Sequence, residues 1–303
     1  MTKFLYTTDW HLCFKQPGTR LDDVLEKQFA KVLQFVDICN STNPDFILHG
    51  GDLFDAPRNA DPSVVNRTIE ILKNLKQPMY YVPGSHDMFG YNLDSFAQSY
   101  LGTLQASDRI IILNQKGIYK FPGELQVGVV PAYVGTNINM YQEFIGADIV
   151  VSHDMITTTP VPYAHIQIKE LAQMFTNTIF LLGHNHSQYY EVLNNNIFIN
   201  PGPLVRTSIA EQNNAPYVAV IEKQGSNVTV NHISIAVDKD VFVIQPQDKE
   251  TTVMTFNDVM KKTNIEYNDI YELLHKVSLD LHIEDVHVNN LKERIKYVEQ
   301  HAV

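Results

Sequence analysis

The chain has 303 residues, 44% hydrophobic and 19% charged, with 34 acidic against 23 basic residues and a formal net charge of −11. That length holds one large domain and a smaller addition, two cysteines exclude a disulfide framework, and no run approaches the roughly 18 apolar residues of a membrane span. An acidic surface is a poor match for polyphosphate substrates, which draw on Lys and Arg, so a nucleic-acid substrate would need bound cations or a basic partner.

In chain order, residues 3–8 read as a buried strand that runs into a polar motif by Asp9. This leaves no room for a cleaved leader, so a reducing cytoplasm is the expected setting. Residues 21–39 place Val24, Leu25, Ala30, Val32, Leu33 and Val36 at helical spacing. A strand at 46–48 follows, then a helix at 63–75 opened by Pro62, then a strand at 79–82. This β-α-β-α-β run predicts a parallel sheet with helices outside. Shorter strands follow at 110–113, 118–121, 127–131, 149–152 and 179–182. Two hairpins are expected, 188–193 with 197–200 across Asn194-Asn195-Asn196, and 217–222 with 227–235 around Gly225. The economical fold is α/β, a second sheet packed on the first with helices on both outer faces.

Near 237–250 the texture changes, with Pro246 among clustered charges. The expected division is 1–237 for the main domain and 238–303 for a small, mostly helical C-terminal region. Within it Ile270, Leu273, Leu274 and Val277 share a face, and Val288, Leu291, Ile295 and Val298 form an apolar stripe at coiled-coil spacing. That stripe serves either the protein's own core or a partner.

Five short motifs sit where strands are expected to end: Asp9-Trp10-His11, Gly51-Asp52-Leu53-Phe54-Asp55, Gly84-Ser85-His86-Asp87, Ser152-His153-Asp154 and Gly183-His184-Asn185-His186. Carboxylates and imidazoles are donors for borderline divalent metals. The carboxyl edge of an α/β sheet is where ligands collect. Taken singly, each His reads equally well as a surface or core residue; the ordered set does not.

This ordered set resembles the calcineurin-like metallophosphoesterase superfamily over roughly residues 1–235, which implies a four-layer αββα sandwich. Thr8-Asp9-Trp10-His11-Leu12, Gly51-Asp52-Leu53-Phe54-Asp55, Tyr81-Val82-Pro83-Gly84 and Asn200-Pro201-Gly202-Pro203-Leu204 look like the SbcD-type DNA exonuclease subunits. The resemblance implies two divalent cations, Mn first, with Mg, Fe or Zn as alternatives. Asp9, His11 and His186 would hold one and His153 and His184 the other, with Asp52 bridging. Two cations a few ångström apart grip phosphate oxygens and activate water for in-line attack. His86 would stabilise the phosphate or protonate the leaving group, and Asp55 matches the position that orients it. The resemblance also implies a DNA substrate in repair or recombination, and an SbcC-type coiled-coil ATPase docked on residues 257–303, with a homodimer contact as the alternative use of that segment.

One position departs from the family pattern: Ser85 stands where an Asn ligand of the second cation is usual. A hydroxyl is a shorter and weaker ligand, so the second site is expected to be the looser one. Rival functions are a protein phosphatase, a small-molecule (cyclic nucleotide) phosphodiesterase and a partner-binding scaffold. The first usually carries an Arg straight after the Asp55 position, where this chain has Ala56 and Pro57. Arg206 is a candidate phosphate ligand. Cys13 and His49 lie beside the motifs, and Tyr133, Tyr163 and His165 fall in nearby loops; each reads equally as packing. His275, His282, His287 and His301 belong to the charged tail.

Overall fold

The structure is a computed structural model describing residues 1–13, 16–18, 20–58, 62–239 and 241–242. The chain divides into Met1–Ile244 and Gln245–Val303. The second unit, with both apolar stripes and the expected docking segment, lies outside the described residues.

The first unit opens with β1 (Thr2–Thr7), α1 (Val24–Thr42), β2 (Phe46–His49), α2 (Ser63–Leu72) and β3 (Met79–Tyr81). Then come α3 (Tyr100–Ala106), β4 (Ile111–Ile112), β5 (Gly117–Phe121), β6 (Leu125–Val130) and β7 (Ile149–Ser152). The chain continues through β8 (Ile156–Thr157), β9 (Ile166–Gln167), α4 (Ile168–Met174) and β10 (Ile179–Leu182). It closes with β11 (Tyr189–Leu193), β12 (Asn196–Asn200), β13 (Tyr217–Gln224) and β14 (Asn227–Ser234). Two mixed six-stranded sheets result, ordered β14-β13-β1-β2-β3-β4 and β11-β12-β10-β7-β6-β5, beside a small β8-β9 pair.

Strand alternation builds the layers. Phe4, Tyr6, Phe46 and Leu48 meet Val127, Val129, Ile149, Val151, Ile179 and Leu181 between the sheets. The alternate residues Leu5 and Ile47 face α1 and α2, packing with Phe29, Val32, Phe35, Val64 and Val65. On the second sheet Val150, Phe180 and Leu182 turn outward onto Tyr141, Phe144, Leu171 and Ala172. Each buried Val, Leu, Ile or Phe contributes about 1.5–3 kcal/mol. A one-residue slip would turn a whole strand's set to the wrong face, so the register is fixed. Helix α1 starts where the Asp23 side chain accepts from Glu26 N–H and stops at Asn43 in the left-handed conformation.

The 189–200 hairpin forms across a two-residue turn, with Asn194 and Asn195 at φ 50° and 61°, the conformation that Asn tolerates best after Gly. Helices α3 and α4 have seven residues each, too short for a periodic apolar signal, and sequence periodicity does not announce them. Among the described residues no helix is long and apolar enough to cross a membrane.

Candidate metal centre

The parallel strands β1, β2, β3, β7 and β10 end at one edge, and each hands its motif to the same place. Beyond β1 and β2 the two loops stay side by side, because Asp9 N–H donates to Gly51 O at 3.0 Å, His11 N–H to Asp52 O at 2.9 Å and Leu12 N–H to Leu53 O at 2.9 Å. Asp9, His11, Asp52 and His184 all have left-handed backbones, at φ 52°, 45°, 53° and 70°. Such residues cost on the order of 1–3 kcal/mol each and persist only where surrounding structure enforces them. Gly51, at φ 114°, and Gly84 admit the close approach: a Cβ on Gly51 would collide with His153 Nδ1, and one on Gly84 with Asp52 Oδ1.

Among the described residues three groups of donors result, Asp9–His11–His186, Asp52–His153–His184 and His11–Asp52–His86, with the donor atoms of each group lying within 4.8 Å of one another. Two oxygens lie near both halves: Asp9 Oδ1 reaches to 4.0 Å from His153 Nε2, and Asp52 Oδ2 comes closer to it. Asp52 Oδ2 lies 3.1 Å from His153 Nε2 and 3.8 Å from His11 Nε2. Asp9 Oδ1 lies 3.7 Å from His11 Nε2 and 3.9 Å from His186 Nε2. Divalent cations fit this donor set. His11 Nε2 and His186 Nε2 face each other at 3.1 Å, and His153 Nε2, fully buried, makes no aligned hydrogen bond. Buried polar atoms without partners are rare, and a cation satisfies such convergent lone pairs.

The outward nitrogens are tied down. His153 Nδ1 donates to Gly50 O at 2.6 Å, His186 Nδ1 to Glu211 Oε1 at 2.7 Å, and His86 Nδ1 to Asp55 O at 2.7 Å. Each bond sets the tautomer and aims the other nitrogen inward. Here the structure departs from expectation: His86 receives the backbone carbonyl of Asp55, while the Asp55 carboxylate stands 3.5 Å from His11 Nδ1. The bond from Asp55 N–H to Leu12 O, 3.1 Å, holds Asp55 beside the β1 loop, within reach of His11. Asp87, 2% exposed, accepts through Oδ2 from Gly84 N–H at 2.6 Å, Tyr81 O–H at 2.7 Å and Asp52 N–H at 3.1 Å, so it shapes the Gly84–His86 turn. Ser85 O–H donates to Asp52 Oδ2 at 3.0 Å and lies 3.4 Å from His184 Nδ1.

Burial works to raise the Asp52 carboxyl, but the charge and hydrogen bond of His153 together with the charges of His11 and His86 hold the group well below the usual carboxylate range. Burial would lower His153, yet the charges of Asp52 and then Asp9 push it up to about 9. His184 is pushed down to about 4, by burial first and then by the charge of His153. Asp87 is pushed up to about 6 by burial and by Asp52.

Other candidates fall away from this cluster. Arg206, expected to meet phosphate, is 8% exposed; its guanidinium donates to the carbonyls of Gln212 and Asp238 and covers the Phe242 ring. Cys13 belongs to none of the donor groups; its thiol donates to Gln28 Oε1 at 3.5 Å, and burial pushes its pKa up. His49 is a core residue stacked on Tyr81 and edge-on to Trp10, with Nδ1 accepting from Gly51 N–H at 3.1 Å. His165 is half-buried and donates to Tyr163 O at 2.7 Å. The tail histidines lie outside the described residues.

Shallow cavities lined by described residues adjoin the cluster. One of ≈ 330 Å³ is lined by Ser85, Tyr133, His153 and His184, one of ≈ 390 Å³ by His11, Cys13, Asp55 and Thr207, and one of ≈ 300 Å³ by Tyr163, His184, His186 and Glu211. Among their described lining residues none is Lys or Arg.

Two face-to-face mixed sheets with paired carboxylate–imidazole groups at one strand edge define a metallophosphoesterase, and the chain belongs to the calcineurin-like phosphoesterase family, whose model matches residues 2–301. It is similar to the SbcD component of the nuclease SbcCD from Staphylococcus saprophyticus, 21% identical over 320 residues that cover 95% of this chain and 83% of that protein. It is also 30% identical over 89 residues to the DNA double-strand break repair protein Mre11 of Methanococcus maripaludis, a match covering 28% of this chain and only 23% of that protein. Among solved structures, a dimetal phosphatase from Danio rerio shares the fold at a TM-score of 0.53 and 11% identity, covering 78% of this chain and 99% of that one.

Proposed function

We propose that this chain is a metal-dependent phosphodiesterase of the nuclease kind, acting on DNA as the catalytic component beside an SbcC-type ATPase. The observation that carries the reading is the Asp52 oxygen shared between His11 at 3.8 Å and His153 at 3.1 Å, the geometry a bridging ligand needs. Asp9, His11 and His186 form the first site, Asp52, His153 and His184 the second, and Ser85 stands at the edge of the second. A bound cation pair supplies Lewis-acid polarisation of phosphate oxygens and lowers the pKa of nearby water. His86 is exposed at the mouth. With Nδ1 committed to the Asp55 carbonyl, its Nε2 is the atom that neutralises the phosphate or protonates the departing oxygen.

A diester has two substituents to accommodate. The cavities beside His153–His184 and beside His11–Asp55 provide room on both sides of the cluster. The lack of cationic side chains in their described lining argues against a phosphomonoester, whose extra charge asks for an Arg. Similarity to the SbcD component of SbcCD over most of the chain favours DNA. The net charge of −11 favours a partner that holds the polyanion. The same charge also favours a second reading, a small-molecule diesterase of the cyclic-nucleotide type.

The test is hydrolysis by purified protein with Mn of duplex DNA, single-stranded DNA, bis-p-nitrophenyl phosphate and p-nitrophenyl phosphate. Cleavage of DNA and of the small diester, lost on chelation and in His184→Ala, is expected. Hydrolysis of the small diester without DNA, with or without the partner, selects the second reading; preference for the monoester overturns both.

A further inference from the structure

Nothing in the sequence motifs marks Glu211, yet it is 6% exposed and its carboxylate divides its bonds between a candidate ligand and its own loop. Oε1 accepts from His186 Nδ1 at 2.7 Å. Oε2 accepts from Thr207 N–H at 2.6 Å and Ser208 N–H at 3.1 Å. The same loop reaches His186 a second time, where the Asn214 amide donates to His186 O at 3.1 Å. The loop itself is clamped: Arg206 bonds the carbonyls of Gln212 and Asp238, and Arg20 bonds the carbonyl of Arg206.

His186 needs such help more than its neighbours do. Its side chain is 35% exposed, against 8% for His11 and 0% for His153. Packing fixes the ring of His153, whose Nδ1 needs only a backbone carbonyl. A half-exposed imidazole keeps rotamer freedom, and ordering it costs entropy on every cation-binding event. A buried carboxylate on Nδ1 removes that freedom, places the proton there, and leaves the Nε2 lone pair aimed at Asp9 and His11.

We infer that Glu211 is the positioning residue of the first cation site, acting through His186 and held in place by the Arg206-clamped loop. The inference rests on the two-cation reading of the cluster. Glu211→Ala removes the acceptor, while Glu211→Gln keeps an acceptor oxygen without the charge. Mn titration followed by electron paramagnetic resonance separates the two binding steps and distinguishes a coupled pair from an isolated ion, with His184→Ala as the reference for loss of the other site. In Glu211→Ala one step weakens by about 10- to 100-fold, the usual scale for such supporting groups, and the other stays within twofold of wild type. Glu211→Gln falls between. Nitrogen NMR of labelled histidine places the neutral proton of His186 on Nδ1 in wild type and Glu211→Gln, and shows it redistributed in Glu211→Ala. Wild-type affinity at both steps in Glu211→Ala overturns the inference. So does equal weakening of both steps with no recovery in Glu211→Gln, which indicates general loosening. A wild-type protein that takes up no Mn pair overturns the two-cation reading itself, a result distinguishable from either.

Discussion

Ser85 O–H donates to Asp52 Oδ2 at 3.0 Å, the same carboxylate oxygen that faces His153 Nε2 at 3.1 Å. The hydroxyl therefore meets the shared carboxylate where an amide would meet the second cation directly. Ser85→Asn should tighten that site, lowering the Mn concentration for half-maximal diesterase activity by about tenfold, the low end of what a change around the ligands does. A Mn titration superimposable on wild type would show that the hydroxyl already suffices.

His86 and Asp55 separate two roles. His86→Ala should keep wild-type Mn stoichiometry and lose about 10²-fold or more in rate, the scale of proton-transfer catalysis. Asp55→Ala should act through His11, because its carboxylate lies 3.5 Å from His11 Nδ1, whereas the carbonyl on His86 survives the substitution. Weaker Mn binding with an unchanged pH–rate profile at saturating Mn is the expected pattern. A shift in that profile instead would place the Asp55 carboxylate on His86 in the working enzyme.

Arg206→Ala should lower stability and leave substrate binding alone. Two carbonyls lose their donor and the Phe242 ring keeps only Arg20 of its two cations, and each stranded carbonyl costs about 1–3 kcal/mol. Denaturant unfolding should shift to a lower midpoint while KM for bis-p-nitrophenyl phosphate at saturating Mn stays unchanged. A raised KM with an unchanged midpoint would restore Arg206 to phosphate binding.

In chelator, stability should fall on both sides of a maximum near pH 6.5. His153, raised to about 9 by Asp52 and Asp9 against burial, binds its proton more tightly folded than unfolded. Its contribution is complete below the unfolded value of about 6.5 and fades as pH rises to 9. His49, pushed down to about 3 by burial, and His184, pushed down to about 4, bind protons more tightly when unfolded, so acid below about 6.5 favours unfolding. Cation binding must displace the His153 proton, so apparent Mn affinity should climb between pH 6.5 and 9. Denaturation midpoints across pH with chelator, and Mn titrations over the same range, check both signs; a flat profile above pH 6.5 would show His153 uncharged in the metal-free protein.

The sequence by itself determined the opening strand-helix order from β1 to β3, the later long strands and hairpins, and the strand-end positions of the carboxylate and imidazole motifs. These are local properties: period-two burial, helical spacing, and turns where a left-handed Asp, His or Gly follows a strand. Tertiary structure alone decided which group serves which. Asp55 turned its carboxylate to His11 and its carbonyl to His86, Arg206 met the backbone carbonyls of Gln212 and Asp238, and Glu211 met His186 across 25 residues. The His11–His186 contact spans 175 residues and exists only because the two sheets pack face to face. Side-chain partners at such separations depend on the relative placement of whole layers, which the buried inter-sheet core fixes and no local spacing encodes.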